Sequence, residues 1–515
     1  MPLTTNREIP CNYTSADDCQ IVTLLLGSSV WYAIQSLQYR KVTGRLIRLV
    51  FRFIGDLFML HRNPFVVQEL IDNATRRRRF LNSARFDLDM VRRHMAGIPE
   101  GDLIIRACHA ALKKLESRLA TAGERRGRIQ QVIGAVIGAQ NVRFDPFSLI
   151  SHATDATDWR LVLPVAVLYP SEENQIPGLI QAISQLNLHI IPRGAGTGLT
   201  GGSIPAEDDC VIINLEKLNH IHGISHRCMK RADGSAQDVP VISLEAGVIT
   251  EDAIRFAAAH NLVFATDPTS AWACTIGGNI AENAGGKTAV LWGTAIDNIL
   301  MYRIVTPDGR LIDIRRVNHP VRKIQPGDFV EFEMTDPHGT VIDRISLSAD
   351  DIRKPGLGKD ITNKALGGLP GIQKEGCDGV ITSAEFILYP AYLHKLTCCL
   401  EFFGEDMDEA GRVIVDISRN FENRGQEALM ALEHFDEEYV KAIDYTVKAP
   451  VRQRPKAVLL IDIVGHTPDQ VSAGQNKLTH LLSPYSQTFL TIAQTPEEGI
   501  RFWQDRKKLG AIARQ

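Results

Sequence analysis

Residues 192–202 read Pro192-Arg193-Gly194-Ala195-Gly196-Thr197-Gly198-Leu199-Thr200-Gly201-Gly202, five glycines in eleven positions, directly after the apolar segment Leu188-His189-Ile190-Ile191. A strand that runs into a loop with so few side chains can reach positive φ and bring backbone N–H groups up to an anion. The anion such a loop suits best is a phosphate or pyrophosphate. The loop fits neither familiar glycine-rich phosphate motif. A P-loop closes on Gly-Lys-Ser/Thr, whereas Gly202 is followed by Ser203 with no lysine. A dinucleotide fingerprint opens a helix inside a βαβ unit, whereas this stretch runs on to Pro205 and another strand-like segment, Val211–Leu215. An ordinary glycine-rich surface turn is the plain alternative, and the buried-looking strand ahead of it argues against that.

A second constellation lies at 264–286, FATDPTSAWACTIGGNIAENAGG. Gly277-Gly278 and Gly285-Gly286 bracket Asn279, Ala281 and Asn283. Small residues let the backbone approach a large flat ligand, and Asn and Thr side chains can bond phosphate, ribose or ring atoms. One glycine-rich loop is weak evidence. Two of them, roughly 80 residues apart, supply the separate contacts that a dinucleotide needs at its pyrophosphate and at its ring.

The elements that must position these loops are short. Val162–Leu168 reads as a strand ended by Tyr169-Pro170, followed by a helix over Ser171–Gln185 with Ser171 as N-cap and Glu172, Glu173 in its first turn. Val241–Glu245 is a further strand, leading through Ala246-Gly247 into a helix from Thr250. Residues 1 to about 150 read as mostly helical, with helical apolar spacing at Asp56–Leu60 and Ile104–Leu119. Arg76-Arg77-Arg78-Arg79 is the strongest charge run there, and a solvated helix face explains it better than a phosphate or nucleic-acid contact. Residues 312–360, charged and holding Pro320, Pro326, Pro337 and Pro355, read as a hairpin-bearing insertion. A second α+β unit opens at Leu393 with a strand over Lys395–Phe403 and a helix over Met407–Phe421. It continues with a strand over Val458–Val464, a helix from Pro468 and a last helix over Glu497–Arg514.

Composition sets the outer bounds. A chain of 515 residues points to two to four domains. A net charge of −3 gives no global field for nucleic acid or an anionic membrane, so no nucleic-acid partner is expected. The nine cysteines form no C-x-x-C pair, which argues against a disulfide framework and against a zinc or iron–sulfur site. The start of the chain lacks a basic stretch followed by an apolar run, and Ile21–Ile34 is too short and too interrupted to cross a bilayer. The expected setting is cytoplasmic, including a peripheral position at the inner face of the membrane.

Seven segments, in order, resemble the FAD-binding domain of the vanillyl-alcohol oxidase / p-cresol methylhydroxylase flavoprotein family. They are VLPVAVLYP (162–170), PRGAGTGLTGG (192–202), ISLEAGVITED (242–252), TDPTSAWACTIGGNIAENAGG (266–286), WGTAIDNIL (292–300), VTPDGRLID (305–313) and DGVITSAEFILYP (378–390). Within the family the chain is most similar to the D-2-hydroxyacid dehydrogenase group, which includes glycolate oxidase flavoprotein subunits and D-lactate and D-2-hydroxyglutarate dehydrogenases. The segments NREIPCNYTSADD (6–18) and KVTGRLIRLVF (41–51) resemble a long bacterial subgroup that adds a C-terminal iron–sulfur domain.

The resemblance implies an α+β fold: a p-cresol methylhydroxylase-type FAD-binding domain of two α+β subdomains, a helical N-terminal extension and the start of an α+β cap. The implied boundaries are 1–150 for the extension, 155–392 for the FAD domain with its insertion at 312–360, and 393–515 for a cap that continues past Gln515. Pro192, Arg193, Gly194, Ala195, Gly196, Thr197, Gly198 and Leu199, with Gly201 and Gly202, would surround the FAD pyrophosphate. Pro268, Thr269, Thr275, Gly277, Gly278, Asn279, Asn283, Gly285 and Gly286 would line the isoalloxazine and ribityl region. Gly379, Ile381 and Thr382 would contact the adenine side through backbone. Many relatives attach FAD through a His or Cys in the first loop. That loop has neither here, so non-covalent FAD is expected.

Phe502-Trp503-Gln504-Asp505-Arg506 resembles the Trp-x-x-Arg segment of the cap, which assigns Arg506 to the carboxylate of a small 2-hydroxy acid such as lactate, glycolate or 2-hydroxyglutarate. A planar, permanently charged guanidinium suits that task. The implied reaction is oxidation to the 2-keto acid by hydride transfer to FAD. Electrons would leave to a quinone or an iron–sulfur protein or domain. The group's metal-bearing His/Glu cluster and its catalytic base have no match in 1–515, so a divalent metal and an iron–sulfur cluster are expected only further along. His434 and His466 are the nearest candidates, and each reads better as structural. Two alternatives stay open: an FAD-binding fragment without activity, and a reductase on the same fold that uses NADPH.

Overall fold

A computed structural model describes residues 17–39, 44–157, 162–207, 209–230, 236–353, 365–405, 407–422 and 427–508. The chain divides into two compact units, one made of Met1–Ile191 with Gly198–Asn214, the other of Pro192–Thr197 with Leu215–Gln515.

In the first unit six helices precede any paired strand: Asp18–Leu26, Ser28–Tyr39, Gly44–Arg62, Pro64–Asp72, Ala74–His94 and Pro99–Ile137. Asn63 and Asn73 separate the fourth and fifth from their predecessors by accepting backbone N–H groups of the turns that follow them. Val22, Ile34, Phe53, Leu88 and Ile104 belong to a core shared by all six helices but the fourth, whose Leu70 packs with Leu60 and Leu119. The arginine run lies on the helix Ala74–His94. Arg76 pairs with Glu69, and Arg77 donates to the carbonyls of Leu70 and Ile71 at 3.2 and 3.1 Å, covering the end of the preceding helix. The last helix of the series packs on Gln175–Gln185, where the Gly178 position lies 3.5 Å from Val136. That helix begins four residues later than the sequence indicates. Ser171 does not cap it. Its N–H donates to Gln175 Oε1 at 2.9 Å, so the first turn is an irregular lead-in. The sheet beside it runs in the order Val142–Arg143, Ala166–Leu168, Cys210–Asn214, His189–Arg193, with the two middle strands parallel.

The second unit is built on a seven-stranded antiparallel sheet. Its order is Val341–Ser348, Phe329–Thr335, Leu311–Arg316, Ile299–Val305, Val380–Ile387, Ala236–Glu245, Ile221–Lys230. The segment 312–360 therefore does not stand apart from the domain. Its hairpin continues the sheet, because Phe329–Thr335 pairs with Leu311–Arg316 on one side and with Val341–Ser348 on the other. Residues 354–360 of that segment lie outside the described residues. Alternate residues such as Tyr302, Ile304, Phe332 and Phe386 face one core with the short helix Ile276–Ala281.

A four-stranded antiparallel sheet follows, in the order Glu427–Phe435, Ala457–Gly465, His394–Phe402, Thr488–Ile492. The helices Met407–Glu422 and Pro468–Leu482 cover one face through Ile417, Leu478, Leu400 and Ile461. Phe502 and Trp503 cover the other, against Cys399, Val458 and Leu460. Ala457–Gly465 is buried along its whole length, as a central strand covered on both faces must be. The last helix spans Pro496–Gln504 and tightens into a 3-10 turn over Asp505–Lys508, shorter than the sequence spacing indicates; residues 509–515 lie outside the described residues.

Candidate functional site

The first half of the glycine loop belongs to the second unit and meets the second constellation there. A methyl group on Gly194 would overlap Thr275 Oγ1. Gly196 has φ 68°, and a side chain on it would run into the Arg193 guanidinium. Gly277 donates its N–H to the Ala246 carbonyl at 2.8 Å, and a Cβ there would lie 2.9 Å from Ala246 Cβ. Ala246 in turn donates to the Thr382 carbonyl at 2.8 Å. Glycine is thus required where three chain segments cross at near backbone contact. Between them lies a cavity of about 390 Å³, lined by Gly194 and Ala195, by Gly247 and Val248, and by Ala273 and Thr275. Glu216, Asn219 and Asp252 add polar groups to it.

The expected site residues divide by what they do. Gly278 is partly exposed, and a Cβ on it would have only Thr275 Oγ1 nearby, at 3.5 Å, so its face is open to a ligand. Pro268, Thr269 and Gly285 are half-buried in the same segment. Asn279 and Asn283 look like ligand donors in the sequence, but their side chains are turned into the fold. Asn279 Nδ2 donates to Thr250 Oγ1 at 2.7 Å, and Asn283 Oδ1 accepts the Ile296 N–H at 2.9 Å. Gly286 packs against the backbone and carboxylate of Asp267. Gly379 closes on Ile304 and the Val305 carbonyl, each 2.8 Å from a Cβ there. Ile381 lies in the main core, and the Thr382 carbonyl is already taken by Ala246. Gly198, Leu199, Gly201 and Gly202 are part of the first unit, where Leu199 is exposed and Gly201 has φ 81°.

Around Arg506, which the sequence singled out, lies a cluster of charges that it did not: Asp462, Lys395, Lys287 and Glu433. Asp462 stands in the middle of the buried strand Ala457–Gly465 and is itself fully buried. Its Oδ1 accepts from Thr397 Oγ1 at 2.6 Å and from Trp503 Nε1 at 2.9 Å. The ammonium groups of Lys395 and Lys287 lie 3.8 and 3.9 Å from its Oδ2. Lys287 also sits 4.7 Å from the centre of the Trp503 ring. Arg506 is 12% exposed and has its Nε 3.0 Å from Glu433 Oε2; the N–H does not point along that contact, so it is an ion pair and not a hydrogen bond. Burial pushes the Asp267 carboxyl above its ordinary range, while Lys287, the Thr288 hydrogen bond and Arg506 pull it back. Burial likewise pushes the Lys287 ammonium below the usual lysine range, with Asp462 and Asp267 opposing. A lone Asp within Val458-Leu459-Leu460-Ile461-Asp462-Ile463-Val464 was the signal available in the sequence.

His466 stacks on Tyr392, and His434 is half-buried with its pKa lowered by desolvation. Among the described residues no group of three or more His, Cys, Asp or Glu is placed to hold a metal ion, and no helix is long and apolar enough to cross a membrane.

Comparison with known proteins defines the class. Residues 164–315 match the family described as FAD binding domain, and residues 4–117 match the family described as protein of unknown function (DUF3683). Glycolate oxidase subunit GlcD of Escherichia coli is 25% identical over 361 residues, 70% of this chain and 60% of that protein. The corresponding subunit of Bacillus subtilis is 25% identical over 387 residues, 75% of this chain and 70% of that protein. The mitochondrial D-2-hydroxyglutarate dehydrogenase of Arabidopsis thaliana is 24% identical over 380 residues, 72% of this chain and 57% of that protein. The match thus spans about three fifths of the Escherichia coli relative. Among solved structures, alkyldihydroxyacetonephosphate synthase has a TM-score of 0.50 at 16% identity, covering 72% of this chain and 61% of that one. p-Cresol methylhydroxylase with substrate bound has a TM-score of 0.50 at 16% identity, covering 74% and 69%.

These likenesses show a p-cresol methylhydroxylase-type FAD-binding fold. The chain carries an FAD-binding domain of that type, with FAD as its cofactor, and its relatives are glycolate oxidase subunits and D-lactate and D-2-hydroxyglutarate dehydrogenases. The residues present fit such a group. The two glycine segments share one cavity, and Gly278 leaves an open face where any side chain would stand in the way of a flat ligand.

Proposed function

We propose that this chain is the flavin-bearing part of an oxidoreductase that converts a small D-2-hydroxy acid to the 2-keto acid, with FAD held non-covalently. The observation that carries this reading is the position of Arg506. It is a largely buried guanidinium paired with Glu433 at 3.0 Å, three residues after Trp503, whose ring centre lies 4.7 Å from the ammonium of Lys287, the residue that follows Gly286. In this reading residues 155–392 hold the cofactor, 393–515 begin a cap over the substrate, and 1–150 form an extension. The relatives named as glycolate oxidase subunits and 2-hydroxyglutarate dehydrogenases support the substrate class.

Bound FAD would supply the acceptor for the hydride that leaves C2, while the hydroxyl proton passes to a base other than the binding residues or to solvent. The chain's own residues bind and orient. Arg506 neutralises the substrate carboxylate with a charge that does not titrate near neutral pH, and Glu433 at its Nε steadies the guanidinium. The first loop, from Pro192 to Gly202, and the segment from Pro268 to Gly286 fix the cofactor, so the substrate C–H meets a rigid partner. A quinone or an iron–sulfur protein or domain takes the electrons onward.

The test is a visible spectrum of the purified, desalted protein, repeated on the supernatant after acid precipitation, followed by anaerobic addition of D-lactate, glycolate and D-2-hydroxyglutarate. The expected result is flavin colour that moves to the supernatant and bleaches with at least one of the acids. Flavin that none of the three bleaches would remove the substrate assignment. Arg506→Ala should retain flavin and require at least tenfold more acid for half-bleaching; an unchanged requirement takes Arg506 out of the site.

A further inference from the structure

Lys287 is three-quarters buried, with its side chain 25% exposed, and makes no hydrogen bond to the protein among the described residues. The nearest carboxylate oxygen, Asp462 Oδ2, is 3.9 Å away. That oxygen is buried and accepts no hydrogen bond either, although Lys395 stands 3.8 Å from it. The Trp503 ring holds the Lys287 cation from one side without using any of its N–H donors. An ammonium has three donors, and a buried one is ordinarily paired and hydrogen-bonded. Here the charge is balanced loosely, and among the described residues none of the three donors meets a protein acceptor.

The surroundings gather charge of both signs. Lys395 and Lys287 face Asp462 at 3.8 and 3.9 Å, and Arg506 pairs with Glu433 at 3.0 Å. Gly286 and Thr288, the neighbours of Lys287 in the chain, are both fixed on Asp267: the first by backbone contact, the second by an O–H···O bond of 2.7 Å. Lys287 is therefore anchored at its root and held at its tip.

We propose that Lys287 is a second ligand of the substrate carboxylate: its ammonium and the Arg506 guanidinium grip the anion together, and Asp462 and Trp503 hold Lys287 in position for it. This rests on the functional reading above. It assigns the carboxylate two cations of different character. Arg506 gives fixed planar geometry, and Lys287 gives a compact charge whose N–H donors are free to aim.

The test uses the flavin-loaded protein and oxalate, which presents a carboxylate and adjacent oxygens but has no C–H to lose. Oxalate is titrated while the flavin absorbance is followed. Lys287→Gln should keep its flavin content and bind oxalate about 10- to 100-fold more weakly, the loss expected for one charge-assisted hydrogen bond. Lys287→Arg should recover most of the affinity. Oxalate affinity equal to the parent's in a flavin-replete Lys287→Gln protein overturns the proposal. Should Lys287→Gln fail to fold with Asp462 left unpaired, the double variant Lys287→Met with Asp462→Asn removes both charges together. Weakening of tenfold or more in that protein supports the proposal, and unchanged affinity overturns it. Arg506→Ala run in parallel separates the two ideas. If only Arg506→Ala weakens oxalate, Lys287 is a structural counter-ion and the functional reading stands. If the parent flavin responds neither to oxalate nor to any D-2-hydroxy acid, both fall.

Discussion

Gly278→Ala separates what the chain requires from what the ligand requires. Gly278 lies in the helix Ile276–Ala281, whose residues Ile276, Gly277, Asn279 and Ile280 are buried. Its φ is not in the left-handed region, and the only atom near a Cβ there is Thr275 Oγ1, at an ordinary 3.5 Å. Alanine at a helical position that accepts its methyl group stabilises by about 0.5–1 kcal/mol through lower backbone entropy in the unfolded chain. The apoprotein should therefore be slightly more stable. A bound flavin meets the same methyl as an obstruction, and overpacking of that kind costs about 1–3 kcal/mol, roughly a 5- to 150-fold rise in the FAD Kd. Chemical denaturation of the flavin-free protein and a fluorescence titration with FAD read the two effects apart. Gly286→Ala is the counterpart, because its Cβ would fall on the Asp267 carbonyl and carbonyl carbon, which are backbone and cannot swing away. That variant should lose stability without flavin present. An FAD affinity unchanged in Gly278→Ala would place the flavin elsewhere, and a destabilised Gly278→Ala apoprotein would refute the claim that space is open at that position.

Two further outcomes follow from the same geometry. Gly194→Ala should destabilise by about 1–3 kcal/mol through the clash with Thr275 Oγ1, and adding Thr275→Ala should restore most of that loss; a double variant no better than the sum of the two singles in a denaturation series would show that the loops meet differently. Asp267→Asn keeps the acceptor for the Thr288 N–H and O–H while removing the titration. The Asp267 pKa is raised above 3.8, chiefly by burial. The native carboxyl thus adds stability below that value and loses it as pH rises through the folded pKa. The stability of Asp267→Asn relative to the parent should climb from pH 3.8 toward neutrality, and a difference that does not vary with pH would mean the carboxyl is not shifted.

Much of the fold was legible because it is local. The helix from Thr250, the strand over Ala457–Gly465 and the helix from Pro468 are marked by caps, acidic first turns and apolar runs that act within a few residues. The glycine loops were legible for a similar reason, since a backbone that must pass within contact of another leaves no choice of residue. What the sequence hid depends on pairing over distance. Asn279 and Asn283 carry the same donors whether they face a ligand or the frame, and only the positions of Thr250 and Ile296 decide between the two. Asp462 became visible as a site residue once Thr397, opposite it on the neighbouring strand, and Trp503, 41 residues on, converged on one of its oxygens. Lys287 follows two glycines in the chain and so resembles a surface lysine until the Trp503 ring covers it.

The glycine segment and Lys287 belong to one short closed loop. The Thr288 hydroxyl lies 2.7 Å from both the Ala265 carbonyl and Asp267 Oδ1, with one proton to share between them, and the Thr288 N–H donates to the same Asp267 oxygen at 3.2 Å. Those bonds tie the end of the segment 264–288 back to its beginning, so the glycines that would face the flavin and the lysine that would face the substrate belong to a single closed loop. Hydrogen bonds to a charged acceptor stabilise by about 1.5–3 kcal/mol each, which a neutral Asp267 would weaken. Asp267 therefore sits at the closure itself, holding Thr288 through its Oδ1 and packing against Gly286. In the proposed reading a substrate carboxylate held by Lys287 would lie beside the glycine segment that would hold the cofactor, because Lys287 and that segment belong to the same strap.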